Sequence, residues 1–248
     1  MIYQKPLVTG LFNAYMKADR AEVHLKELET QIRNFIEANP HVITYEDDVK
    51  QFLHIIRIEL KPCDEIIPAL VGEIVYNLRH ALDNLAWQLA IKNVSNPSSH
   101  TSFPIRGVRP AKGFGDATKD ILPQAVTIIE SLQPYHRGAA FKEDLLWILN
   151  ELCIIDKHST PAVNGSSFKI RTDNAEQLHR RDSHYGTEMV FSLADKFVVK
   201  LDPGPPEIIL GRPIDSSGPP FEAPLTVLRD IHKFIRNEVL PRFAGFFK

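Results

Sequence analysis

The sequence predicts an α+β fold, mainly a helical bundle of about five helices with a small antiparallel sheet of about five short strands. Three observations carry this expectation. Long segments repeat apolar residues every three or four positions, which is the period of a helix. Short alternating segments gather in two separate places, near residues 41–60 and 162–210. No strand–helix–strand alternation links them, so the crossovers of a parallel sheet are missing. The 248 residues read as a single domain. Residues 62–158 form its helical core segment, and 159–222 form a strand-rich segment packed on it.

Taken in order, Leu7, Leu11, Ala14, Ala18, Ala21, Leu25, Leu28, Ile32 and Phe35 predict an amphipathic helix from Pro6 to about Ala38. Asn39-Pro40 stops it. His41–Tyr45 and Gln51–Leu60 then read as a hairpin, joined by the acidic Glu46-Asp47-Asp48. After Pro62, Asp64 can cap a helix from about Glu65 to Ile91. A proline- and serine-rich loop follows, anchored by the apolar Phe103-Pro104-Ile105. Further helices are expected over about 116–132 and 141–157. Strands are expected at Ala162–Thr172, Glu188–Leu193, Lys196–Leu201 and Glu207–Leu210, with Ala194-Asp195 as a tight connection. Between the first two lies Asp173–Tyr185, read as an exposed polar excursion. A final helix spans about Pro224 to Phe247.

Composition excludes several function classes. Net charge is −2, so no whole-molecule field draws the chain to nucleic acid or to a membrane surface. No stretch approaches a membrane span and no apolar leader opens the chain, so a cytoplasmic protein is expected. The two cysteines, Cys63 and Cys153, read as reduced core thiols rather than a disulfide. Neither a phosphate-binding glycine loop, a nucleophile elbow, HExxH nor CxxC occurs. No cofactor and no metal is expected. His179 and His184 with Asp182 supply too few donors for a metal site. The basic residues Arg171, Arg180 and Arg181 form the best candidate binding patch.

The helix over Gly72–Ala90 places charge where apolar residues belong. By angle, Glu73, Asn77, His80, Asn84 and Gln88 gather on one strip, read as the water side. Arg79 and Asp83 fall on another flank, four residues apart and able to pair. In the helix ending at His158, Asp156 continues the line of Leu145, Leu149 and Leu152 and so is expected to point inward. A buried charge needs a partner. The expectation is one buried network of Arg79, Asp83 and Asp156, joined by His158. Its two readings are a fold-specifying polar core and a functional site.

The string LRHALDNLAWQLA (Leu78–Ala90), followed by FPI (Phe103–Ile105), LQPY (Leu132–Tyr135) and DKH (Asp156–His158), resembles a family of uncharacterised bacterial and phage-associated proteins. That family has no established activity to carry over. Its pattern continues with arginine after DKH, where this chain has Ser159. The helical portion is more loosely similar to HEPN-type bundles of bacterial defence systems. Active members separate an arginine from a histidine by four to six residues. Here Arg79 is followed at once by His80, Arg20 and Arg180 reach His24 and His184 too early, and Arg171 reaches His179 too late. The resemblance implies a non-catalytic or regulatory protein that binds a protein partner, another copy of itself or a small ligand. The alternative is an RNA- or nucleotide-acting enzyme that assembles Arg79 with the distant His158.

Overall fold

The computed structural model describes residues 9–38, 41–60, 64–158, 162–165, 168–172, 177–183, 186–192, 199–203, 208–211 and 222–247. It is mainly helical with antiparallel sheet, as the fold class requires. The strand expectation needs correcting. Instead of one small sheet of about five strands, the described strands number nine and divide among three sheets.

Helix α1 (Phe12–Glu37) follows a short 3-10 turn, and α2 (Ile66–Asn93) is the longest element. Small residues let these two approach closely: Ala14, Ala18 and Ala21 are fully buried on α1, as are Ala81, Ala86 and Ala90 on α2. Leucines at 25, 28, 70, 78, 82, 85 and 89 fill the space between and around them. Each such side chain, fully buried, contributes about 1.5–3 kcal/mol of transfer free energy. The Asp64 carboxylate accepts from the Ile66 N–H at 3.1 Å, which satisfies one of the free amides at the start of α2.

The helix expected over 116–132 is shorter. Only α3 (Pro123–Ser131) forms, with Pro123 in its first turn, where a missing N–H costs nothing. A 3-10 stretch (Pro134–Glu143), kinked at Gly138 with φ 57°, then leads to α4 (Leu145–His158). The last helix is also not continuous. It comprises α5 (Val227–Phe234), a π-helical turn (Ile235–Val239), α6 (Leu240–Arg242) and a closing 3-10 turn. Pro241 has no N–H to give to the preceding turn, so the hydrogen-bond ladder shifts there. The π turn also keeps Ile231, Ile235, Val239 and Phe243, each four apart, on one buried stripe. Ion pairs Arg236–Asp19, at 2.7 Å, and Arg229–Glu29 fasten this helix to α1.

Strands β1 (His41–Asp48) and β2 (Leu53–Leu60) form the expected hairpin. The acidic triad belongs to β1 rather than to the connection, and the turn is Val49–Phe52. The next strands are β3 (Ala162–Gly165), β4 (Phe168–Thr172), β5 (Gln177–Ser183) and β6 (Gly186–Ser192). Strands β7 (Val199–Pro203), β8 (Ile208–Gly211) and β9 (Glu222–Pro224) complete the set. The sheets run β1-β2-β6-β5, β3-β8-β9 and β4-β7, all antiparallel. Three expectations change. Strand β5 occupies the segment read as an exposed excursion. Strand β6 pairs with β2 and β5 and not with β7, so Ala194-Asp195, which lies outside the described residues, does not join two paired strands. Arg171, Arg180 and Arg181 stand on β4 and β5, at register positions opposite Lys200, Met189 and Glu188, rather than in a loop. Their side chains lie outside the described residues.

Candidate functional site

Arg79 and Asp83 lie one turn apart on α2 and pair through two hydrogen bonds, Nε to Oδ2 at 3.1 Å and Nη2 to Oδ1 at 2.9 Å. Both also hold the backbone of Phe103. Arg79 Nη2 donates to the Phe103 carbonyl at 2.7 Å, and the Phe103 N–H donates to Asp83 Oδ1 at 3.0 Å. The two side chains therefore grip one peptide unit by its donor and its acceptor. Such charge-assisted bonds are worth more than neutral ones.

The grip continues along the same segment. Gln133 Nε2 donates to the Pro104 carbonyl at 2.8 Å, while Gln133 Oε1 accepts from the Arg106 N–H at 2.9 Å. The Tyr135 N–H donates to the Arg106 carbonyl at 3.2 Å. An extended loop has no ladder partner for its backbone, and buried peptide groups must be satisfied. The residues of α2 and of the turn after α3 supply those partners. Phe103 and Ile105 can then be buried, at 0% and 5% exposure. The strings beginning at Leu78, Phe103 and Leu132 thus meet in one hydrogen-bonded unit.

Beside this unit a cleft of about 310 Å³ opens between α2 and the end of α4, with Ser102 at its rim. Arg79, Asp83 and Asp156 all line it. The expected network forms only in part. Arg79 and Asp83 pair at side-chain exposures of 20% and 34%, so the pair is partly open and not sealed in a core. Asp156 is exposed, and no ion pair joins it to Arg79 among the described residues. Asp156 sits in the last turn of α4, and its carboxylate rests against the bare Cα of Gly72, seven residues before Arg79 on α2. A Cβ at that glycine would lie 2.5 Å from Oδ1. Burial, and then the neighbouring Glu73 carboxylate, push the Asp156 carboxyl above the usual range. The backbone of His158 ends α4, but its side chain lies outside the described residues.

The strip read as the water side is likewise mixed. Glu73 is exposed, but Asn77 is buried, with its Nδ2 donating to the Glu73 carbonyl at 2.8 Å. His80 is half-buried and faces the cleft. Its ring stacks on Tyr76 with centroids 4.0 Å apart. Helix α1 packs along this flank, which a wheel drawn for α2 alone does not reveal. Burial, and then the Lys17 ammonium, hold the His80 imidazole below its usual range, with Asp83 pulling the other way. It is therefore neutral at pH 7.

Two more residues bear on chemistry. Cys153 lines the cleft, but burial pushes its thiol up to about 12. That removes the thiolate a nucleophile needs. Arg79 Nη1 is buried and has no acceptor. No group of three or more metal-ligating side chains occurs among the described residues. Nor is any described helix long and apolar enough to cross a membrane. Sequence reasoning missed His80, Tyr76 and Lys157 as cleft residues. The signal that could have found them is the exposed aromatic Tyr76 one turn before His80. No protein-family model, curated protein or solved structure matches this chain.

Proposed function

We propose that this chain is a non-catalytic binding protein that takes a small ligand in the cleft between α2 and α4. The observation that carries the reading is the engagement of Arg79 and Asp83. Their hydrogen bonds go to each other and to Phe103, so both side chains are engaged in building the wall of the cleft, with Arg79 Nη1 left as the one donor without an acceptor in the pair. The inert Cys153 thiol agrees with binding rather than nucleophilic catalysis by that residue. A cleft of this size is at the lower end for small-molecule sites. Likeness to regulatory HEPN-type bundles is part of the same proposal.

The test has two arms. Native mass spectrometry of the freshly purified chain is expected to find a bound small molecule, lost when Tyr76 and Lys157 are both changed to alanine. Incubation with single-stranded RNA is expected to leave the RNA intact. Cleavage that disappears in Arg79→Ala and His158→Ala variants would establish the nuclease reading in its place.

A further inference from the structure

The cleft's charges narrow the chemistry of its occupant, a step that rests on the ligand-binding reading above. Two ammonium groups from different helices converge on His80. Lys157, near the end of α4, lines the same cleft as His80. Lys17, on α1, holds Nζ 5.9 Å from the Tyr76 ring centroid, and that ring stacks on His80. Neither lysine has an ion-pair partner among the described residues, where the lysine pairs are Lys26–Glu22 and Lys119–Asp116. Arg79 adds an Nη1 that is buried without an acceptor. Of the two acids that line the cleft with Lys157, Asp83 is paired with Arg79, which leaves Asp156. Around His80, then, positive charge and spare N–H donors outnumber free acceptors.

Two carboxylates, Glu73 and Asp156, lie toward the N-terminal end of α2 from His80. A second, shallower recess of about 500 Å³ between α1 and α2 shares Tyr76 with the cleft and is of mixed charge, lined by Glu73 and Glu27 with Lys17 and Arg20. The Glu73 carboxylate acts on that of Asp156, and neither has an ion-pair partner among the described residues. His80 lies seven residues after Glu73 on α2, a rise of about 10 Å. A ligand matched to this arrangement carries an anion at one end, a planar middle over Tyr76, and N–H donors at the other end.

We infer that the cleft binds a nucleoside monophosphate, with its phosphate between Lys17, Lys157 and His80 and its base edge toward Glu73 and Asp156. Lys17 now covers Tyr76, and moving onto the phosphate frees that ring for the base. Base–aromatic stacking and charge-assisted phosphate contacts are the two main forces in such recognition. A bare phosphate lacks the first and a nucleoside lacks the second.

The test is isothermal titration calorimetry on the full chain with GMP, AMP, guanosine, inorganic phosphate and a short single-stranded oligoribonucleotide. GMP or AMP is expected to bind, with guanosine and phosphate weaker by about tenfold or more. The Lys17→Ala/Lys157→Ala double variant loses about tenfold or more in affinity. Lys26→Ala, whose ammonium pairs with Glu22, binds as the wild type does. Three results overturn the assignment: no GMP or AMP binding at millimolar concentration, equal binding by the double variant, or binding of the oligoribonucleotide alone. A different molecule found in the cleft by native mass spectrometry also overturns it, while leaving the ligand-binding reading intact. An empty cleft that takes up no probe defeats both.

Discussion

Removing the Asp83 carboxylate takes the acceptor from the Phe103 N–H and the partner from Arg79 in one step. A buried donor left unmet costs about 1–3 kcal/mol, and a hydrogen bond to a charged group is worth about 1.5–3. Partial exposure of the pair reduces the sum. Asp83→Ala is expected to lose about 2–3 kcal/mol in urea denaturation, and Asp83→Asn, which keeps an acceptor, to lose less. Equal stability of Asp83→Ala and wild type would show that the grip on Phe103 contributes nothing. Asp156 behaves in the opposite sense. Its folded-state carboxyl sits above the ordinary range, so the fold favours the protonated form. Stability from this residue is therefore present below the unfolded value of about 3.9 and lost as pH rises through the folded one. Asp156→Asn is expected to be more stable than wild type at pH 7, with the difference vanishing below about pH 4. A neutral-pH loss in that variant would reveal an attractive partner for the carboxylate.

Elements defined by their own period were legible in the sequence, and elements defined by distant partners were not. The stripes of α1, α2 and α4 reflect burial of one face, which spacing reports directly. The expected helix over 116–132 failed at its N-terminal half because Pro123 begins a helix rather than continuing one, and Leu122 before it is extended, with ψ 133°. Strand pairing depends on segments far apart in the chain. The ladder between β2 and β6 joins Ile56 to Met189, and nothing local in either strand announces it. For the candidate site, the Arg79–Asp83 pair was legible because two charges interrupted an apolar flank. Their real partner, the Phe103 backbone, was hidden, because a backbone group carries no side-chain signal. Asp156 does turn toward α2, but its neighbour there is the bare Cα of Gly72 rather than the Arg79 guanidinium. Gly72, the small residue that lets its carboxylate approach α2, is only a gap in the pattern.

At the scale of the whole molecule, α2 is the axis on which the other helices depend. It packs against α1, α4 and α5, and fourteen of its residues are buried. It carries α1 and the C-terminal helix, and also the Phe103 segment and α4 that frame the cleft. Opening α2 therefore requires breaking the shared core, whereas the β1–β2 hairpin can open with smaller losses. That hairpin exposes Val42, Tyr45, Val49 and Phe52, and Phe52 adopts a φ of 61°, which a bulky residue tolerates poorly. Amide exchange follows local opening free energy, which ranges from near zero at frayed segments to the global value in the core. Amides from Val71 to Leu89 are expected to exchange at the global unfolding rate, and those of β1 and its turn orders of magnitude faster. Pulse-labelled exchange read by mass spectrometry checks this. If α2 exchanged as fast as the hairpin, the central position assigned to it would be wrong. The cleft built on α2 would then lose its rigid floor. On the proposed nucleotide-binding reading, ligand at His80 is expected to add protection to the end of α4 and to the Lys17 region of α1, which carry the two lysines.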